Sequence, residues 1–216
     1  NVVAADALCA GSCNGTITIT APTAVQYSTD GGTTFGASNV INSLCAGNYN
    51  IMVLDATGCQ ATSNVTVYEP SPLQLTGTPD AIVCFQGDMT LSSLAQGGTA
   101  PYAYTWSNGV NTQNQVVNPT IQTVFTVTVQ DANGCIAGPV ATTVGVTPQF
   151  YATVSPLSSQ ICPGQSVTLT ATGFDGAPYY TFEWSTGDTT SSITVVPTSS
   201  PTVYTVIGKD LCNHYD

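Results

Sequence analysis

The chain has 216 residues, only 6% of them charged, and a formal net charge of −11, whereas an average soluble protein carries roughly 25% charged residues. Lys209 is the only lysine or arginine and His214 the only histidine. Nothing supplies the cations that displace counterions from phosphates, so nucleic-acid binding is excluded and adsorption to an anionic membrane disfavoured.

No apolar run approaches the roughly 20 residues of a membrane helix, so no membrane insertion is expected. The N-terminal residues lack the charged-then-apolar form of a signal peptide. Eight cysteines in such a sequence point to an oxidising, extracellular compartment. The two observations agree if the chain is a mature product or an excised segment of a larger one, and the abrupt ending of its last repeat favours the segment.

Read in chain order, the pattern is β throughout, with no helical period lasting beyond a turn or two. "GTITIT" (Gly15–Thr20) alternates strictly and is the first clear strand. "PTAVQYSTDG" (Pro22–Gly31) follows, and its "STDGG" (Ser28–Gly32) is a turn in which Asp bonds local backbone and Gly accepts positive φ. "IMVLDATGC" (Ile51–Cys59) joins a strand to a turn closed by a cysteine. After "YEPSPL" (Tyr68–Leu73) come "PYAYTWSNG" (Pro101–Gly109), the strand Val124–Val129 and "DANGC" (Asp131–Cys135). After "VTPQF" (Val146–Phe150) come "SVTLTAT" (Ser166–Thr172), "PYYTFEWSTG" (Pro178–Gly187 region) and "TVYTVIG" (Thr202–Gly208). These segments are rich in β-branched and aromatic residues and are separated by Gly, Asn, Asp and Pro clusters.

Two cysteine series reveal a tandem repeat. Closing cysteines Cys59, Cys135 and Cys212 follow one another at 76 and 77 residues; opening cysteines Cys9, Cys84 and Cys162 follow at 75 and 78. The expected fold is all-β: three tandem small Ig-like β-sandwich modules, 1–70, 71–148 and 149–216, each of about seven strands. Tyr104 and Trp106 share a strand face with Tyr102, as Phe182 and Trp184 do with Tyr180, and an Ig-type sandwich buries a tryptophan of this kind. Thr23, Val25 and Tyr27 hold these positions in the first module, which predicts a smaller core. Tyr49, Phe125 and Tyr204 align at the head of each penultimate strand, and a tyrosine there suits a corner hydroxyl bonded to backbone.

Within each module the two cysteines lie 50, 51 and 50 residues apart. The repeat therefore predicts disulfides Cys9–Cys59, Cys84–Cys135 and Cys162–Cys212, with Cys13–Cys45 as an extra pair. Each staple closing about 50 residues is worth roughly 4 kcal/mol in the chain-entropy model. A zinc site would need close Cys/His pairs, and only Cys9 and Cys13 are close, with no histidine near. A reactive thiolate would need a basic neighbour, which the sequence barely offers. A Ser–His–Asp arrangement has only His214 as base, and no acid pair sits in an aromatic cleft, so no enzyme is expected.

Asp55, Asp131 and Asp210 recur in the closing turns and are calcium candidates, although calcium wants six to eight oxygens; turn aspartates bonding local backbone are the simpler reading. Asn14 and Asn64 head Asn-x-Thr sequons. Few charges guard the strand edges, where charge normally prevents edge pairing, so part of the surface is expected to be covered by neighbouring modules, other chains or glycans.

"CAGSCNGTITIT…YSTDGGTTFGASNVINSLCAGNYNIMVLDATGC" (Cys9–Cys59) resembles the repeat of SprB-type gliding-motility adhesins of Bacteroidota. "PYAYTWSNG" with "DANGC", and "PYYTFEWSTG", resemble the related Ig/PKD-like repeats of the same large surface proteins. The resemblance implies type IX secretion, surface display or release, and a role as stalk in adhesins, motility filaments or other extracellular fibres. It also makes Thr189, in "DTT" (Asp188–Thr190), a candidate O-glycosylation site. Two features depart from the pattern: the additional Cys13–Cys45 pair, and the ending "KDLCNHYD" without Asn-Gly. The expected partners are neighbouring repeats of the same long chain, other copies in a homo-oligomeric fibre, and surface glycans or host or prey cells. A sugar- or cell-binding role for inter-strand loops such as Thr29–Ser38 is the alternative function.

Overall fold

Alternation of apolar and hydroxyl side chains at period two leaves each segment one face to bury and one to hydrate. In the computed structural model, which describes Asn1–Asp216, this produces eighteen strands and no helix. No helix long and apolar enough to cross a membrane is present.

In the first repeat β1 (Val2–Ala5), β2 (Gly15–Ile19) and β4 (Val40–Leu44) form one sheet, in the order β1-β2-β4. The other sheet is β3 (Ala24–Ser28), β5 (Gly47–Asp55) and β6 (Gln60–Val67), in chain order. Ile17 and Ile19 of β2 meet Ile51 of β5 and Val67 of β6 in one buried cluster, so the two sheets form a sandwich.

The second repeat contains β7 (Gln74–Gly77), β8 (Ala81–Val83), β9 (Met89–Gln96), β10 (Ala103–Trp106), β11 (Asn114–Val117), β12 (Thr123–Gln130) and β13 (Ile136–Val146). Its sheets run β10-β12-β13-β8 and β11-β9-β7, with β8 parallel to β13. Burial alternates along β9 and β12, and Leu91, Trp106, Val127, Val129 and Val144 are buried.

The third repeat contains β14 (Tyr151–Ser155), β15 (Val167–Phe174), β16 (Thr181–Trp184), β17 (Ser192–Val195) and β18 (Val206–Lys209). Its sheets are β14-β15-β17 and β16-β18. Leu169 and Ala171 of β15 and Ile193 and Val195 of β17 pack on Phe182 and Trp184 of β16. The tryptophan-containing core holds six buried residues and the first-repeat core four, the consequence of giving the first module Tyr27 where the third has Trp184.

Seven strands per repeat were expected, and six, seven and five form. In the first repeat the stretch after Cys9 is spent on a turn, with Ser12 N–H bonded to the Cys9 carbonyl. In the third, Thr202–Tyr204 stays outside β18, although Tyr204 packs on the core. No sheet mixes strands of two repeats, and the interruptions Tyr68–Leu73 and Thr147–Phe150 fall between β6 and β7 and between β13 and β14. Compactness divides the chain differently. One unit comprises Asn1–Thr78, Ser92–Gln115 and Thr126–Ala141, the other Pro79–Leu91, Val116–Phe125 and Thr142–Asp216. The second repeat is thereby shared between the units.

Candidate functional site

The cysteines sit on two recurring turns. Each opening turn carries cysteine at its first position, a positive φ two residues later, and an N–H three residues later bonded to the cysteine carbonyl. Ser12 donates to Cys9 at 3.0 Å with Gly11 at φ 70°; Gly87 donates to Cys84 at 2.7 Å with Gln86 at φ 58°. Gln165 donates to Cys162 at 3.1 Å with Gly164 at φ 81°. The first is further braced by Asn14, whose side-chain oxygen accepts the Leu8 N–H at 2.9 Å.

Each closing turn is organised by an aspartate, which folds its carboxylate back onto the N–H groups that follow it, as such residues do in turns. Asp55 Oδ1 accepts from the N–H of Thr57 at 2.8 Å and of Cys59 at 2.9 Å. Asp131 Oδ1 accepts from Asn133 and Cys135, both at 2.9 Å. Asp210 Oδ1 accepts from His214 at 2.8 Å. The residue three after each aspartate has positive φ: Gly58, Gly134 and, in the third turn, Asn213 at φ 62°. Asparagine is the side chain that best tolerates this region after glycine. The structural counterpart of Cys59 and Cys135 is therefore His214, and Cys212 stands where Thr57 and Asn133 stand. Aligning the repeats on cysteine hides this two-residue displacement; aligning on Asp210 and Asn213 shows it.

The disulfides correct the predicted pairing. Cys9 is bonded to Cys135 and Cys84 to Cys212, each with Cα atoms 5.8 Å apart, and Cys13 is bonded to Cys45. Cys9–Cys59, Cys84–Cys135 and Cys162–Cys212 do not form, and Cys59 and Cys162 are free and exposed. Modules are thus not each stapled end to end; an opening cysteine joins the closing turn of the following repeat. The reason is geometric. The second closing turn docks on the first opening turn, with Asn133 Nδ2 donating to the Leu8 carbonyl at 3.0 Å and the Cys135 sulfur 3.4 Å from the same oxygen. Each of these two bonds lies inside one compact unit. Spacing could not reveal this, because separations of 126 and 128 residues are nearly as regular as 50, 51 and 50.

The aspartates are occupied by donors rather than arranged as an oxygen cage. Asp131 is buried, which opposes ionisation, but the N–H groups of Thr99, Cys135 and Asn133 outweigh this and hold its carboxyl below the usual carboxylate range. Asp210 is likewise buried; the N–H groups of Ala177 and His214, with the His214 ring, hold its carboxyl low. Asp55 is held low by the Thr57 hydroxyl and the N–H groups of Cys59 and Thr57. N–H donors aimed at a carboxylate are the inverse of a calcium shell. Asp210, Cys212 and His214 bring ligand atoms within 4.8 Å of one another, but the Cys212 sulfur is committed to Cys84, so no thiolate is on offer. The partners of His214 are the Asp210 carboxylate at 3.4 Å and the edge of Phe85, with ring centroids 6.2 Å apart.

Of the aromatics, Trp106, Phe125, Phe182 and Trp184 are buried, and Tyr27, Tyr49, Tyr104 and Tyr204 half-buried. Both tryptophans place their indole N–H 2.8 Å from a carbonyl six residues on, Thr112 and Thr190. Tyr49 donates to the Cys45 carbonyl at 2.8 Å, fixing the short connection between β4 and β5 that carries Cys45. Val25, expected on the core face, is half exposed. Asn14, Asn64 and Thr189 are exposed. The Thr29–Ser38 loop borders an open groove of about 460 Å³ with Tyr27 and Phe35 in its wall. Asp30 fixes that loop: the Thr34 N–H and hydroxyl and the Ser28 hydroxyl hold its carboxyl far below the carboxylate range.

Fold and turns together define a class: an all-β array of sandwich repeats whose opening turns are covalently joined to the next repeat's closing turn. Residues 80–111 match the family described as the SprB repeat. The match contains Cys84 and the whole of "PYAYTWSNG" and so falls on the second repeat, whereas the longest likeness read from the sequence lay in the first. No curated protein matches the sequence. Among solved structures, fibronectin(III)-like modules of CbhA from Clostridium thermocellum align at 14% identity over 68% of this chain and 94% of theirs, with TM-score 0.32. The N-terminal eight Ig domains of Down Syndrome Cell Adhesion Molecule align at 14% identity over 88% of this chain and 31% of theirs, with TM-score 0.36. A four-Ig-domain Dscam1 structure, isoform 6.44, aligns at 13% identity over 99% of this chain and 69% of its own, with TM-score 0.31.

Proposed function

We propose that the chain is a non-enzymatic structural segment, a stalk or assembly unit, of a large secreted or surface-displayed bacterial adhesin or extracellular filament. It comprises three modules, 1–70, 71–148 and 149–216, working beside neighbouring repeats of the same kind. The observation that carries this reading is the staggered disulfide pair, because it makes consecutive repeats mechanically continuous. Tension entering at Cys9 crosses to Cys135, returns along the backbone to Cys84 and leaves at Cys212. The 203 residues from Cys9 to Cys212 are thereby bridged by a covalent path of 51, Cys84 to Cys135. Scarcity of lysine and arginine, which leaves trypsin a single site after Lys209, suits an exposed extracellular life.

Single-molecule pulling tests the reading. Adding reductant should lengthen the unfolded chain by the 152 residues held between these two figures, roughly 500 Å at 3.3–3.6 Å per residue. Equal extensions with and without reductant contradict it. The groove beside Tyr27 and Phe35 supports a second reading, binding of surface glycans by the first repeat, since exposed aromatic faces stack on apolar faces of ligands. Glycan-array binding that is lost on Phe35→Ala would favour it.

A further inference from the structure

The third closing turn carries a donor set that the other two lack. Asp210, Cys212 and His214 alternate along the chain, and one ligand atom of each lies within 4.8 Å of the others. A fourth donor is Cys84, whose sulfur is bonded to that of Cys212. We propose that Asp210, His214, Cys84 and Cys212 form a zinc site once the Cys84–Cys212 disulfide is reduced, so that the metal takes over the joint the disulfide makes.

The distances carry this. Zinc bonds of about 2.0–2.1 Å to nitrogen and oxygen, set tetrahedrally, put those two atoms about 3.4 Å apart. His214 Nδ1 and Asp210 Oδ2 are 3.4 Å apart. The Cys212 sulfur has to close from at most 4.8 Å to about 3.6 Å, which side-chain rotation supplies once the bond is open. The carboxylate is already held: the Ala177 N–H donates to Oδ2 at 3.0 Å and the His214 N–H to Oδ1 at 2.8 Å. Oδ2 keeps a second lone pair for the metal, and outer hydrogen bonds of this kind orient zinc ligands. The edge of Phe85 walls the imidazole, while the histidine side chain, 29% exposed, leaves a way in. Two thiolates, an imidazole and a carboxylate suit zinc. The Cys9–Cys135 joint is the internal contrast. Asn133 stands there in the place of Cys212 and Cys135 in the place of His214, so no imidazole is offered. The two-residue displacement of the third turn thereby acquires a chemical consequence.

Opening the bond takes two electrons, which a phosphine supplies. Phosphorus attacks one sulfur and releases the other as thiolate; water then converts the thiophosphonium to phosphine oxide and frees the second sulfur. The oxygen of water ends on phosphorus and its two protons on the two thiols. Zinc displaces both protons to solvent as it binds.

The inference goes beyond the structural-repeat reading and does not rest on it. Its test uses the full chain carrying Cys59→Ser and Cys162→Ser, which removes the two exposed free thiols. The protein is reduced with phosphine, freed of it under nitrogen, given one equivalent of zinc and pulsed with iodoacetamide. Peptide mass spectrometry reads alkylation at each cysteine. Zinc should slow alkylation of Cys84 and Cys212 by about tenfold or more, the least that losing a zinc ligand is worth, and leave Cys9 and Cys135 near their zinc-free rates. His214→Ala in the same background should lose the protection, and His214→Cys, which puts a thiolate in its place, should restore it. Cobalt in place of zinc should give the thiolate charge-transfer and tetrahedral visible bands with the reduced protein and neither with the unreduced one. Protection that is absent, equal at Cys9 and Cys135, or unchanged by His214→Ala would overturn the proposal.

Discussion

The closing turns Asp55–Cys59 and Asp131–Cys135 share their internal hydrogen bonds, yet one lies open and the other is buried against neighbours. Asp131 uses its second oxygen on the Thr99 N–H at 2.9 Å, and Ala132 N–H reaches the Thr99 carbonyl at 2.8 Å. The third closing turn does the same with Ala177, which donates to Asp210 at 3.0 Å. In the first repeat the corresponding space is an open cleft of about 190 Å³ between Asp55, Cys59 and Pro22. The local sequence therefore sets the shape of the turn, and the neighbouring loop decides whether it is fastened. The loop that fastens a closing turn belongs to its own repeat, and in the second and third repeats a disulfide then joins the fastened turn to the repeat before it.

The largest expected break in this comparison comes from the cysteines. Replacing Cys9 and Cys135 together by Ser opens a loop of 126 residues and should cost about 4–5 kcal/mol in the chain-entropy model. Cys59→Ser should change stability by less than about 0.5 kcal/mol, as an exposed substitution does. Denaturant unfolding under non-reducing conditions measures both. A loss on Cys59→Ser as large as that of the double variant would erase the distinction.

The next effect concerns the aspartates. Asp131→Ala strands three backbone donors in a buried setting and should lower the thermal midpoint more than Asp55→Ala, whose donors reach water. Both carboxyls are held below their ordinary value of 3.8 in the folded chain. A carboxylate depressed by folding contributes stability above its unfolded pKa and loses it as pH falls through the folded one. Stability should therefore decline below about pH 4, and Asp131→Asn should flatten the decline. A wild-type profile that is level into strong acid would contradict the hydrogen bonding described.

The smallest effect tests the third turn. Gly134→Ala forces an L side chain to φ 86° and should cost about 1–2 kcal/mol. Asn213→Gly, at φ 62°, should stay within about 1 kcal/mol of wild type. An equal loss from both would mean that Asn213 does not occupy the glycine position.

Much of the fold was legible because burial writes itself into alternation. Gly15–Thr20, Ser166–Thr172 and Val124–Val129 became β2, β15 and β12 within about two residues, and the tryptophans at 106 and 184 are buried. The turns were legible too, since Asp followed by Gly or Asn carries its own mechanism. Pairing was not, because a tandem repeat looks the same after a shift by one unit. Every separation that is constant within repeats is nearly constant between them, and it takes three-dimensional contacts, Asn133 with Leu8 and His214 with Phe85, to break the tie. Three recurring aspartates suggest calcium to a reader of the sequence, whereas the N–H groups aimed at them show what those carboxylates hold.

Disulfide mapping of the unreduced chain tests the central claim most directly. Protease digestion without reductant and mass spectrometry should recover peptides joined through Cys9–Cys135 and through Cys84–Cys212, with Cys59 and Cys162 alkylated as free thiols. Peptides joined through Cys9–Cys59, Cys84–Cys135 and Cys162–Cys212 would show that each repeat is stapled to itself and would contradict the account.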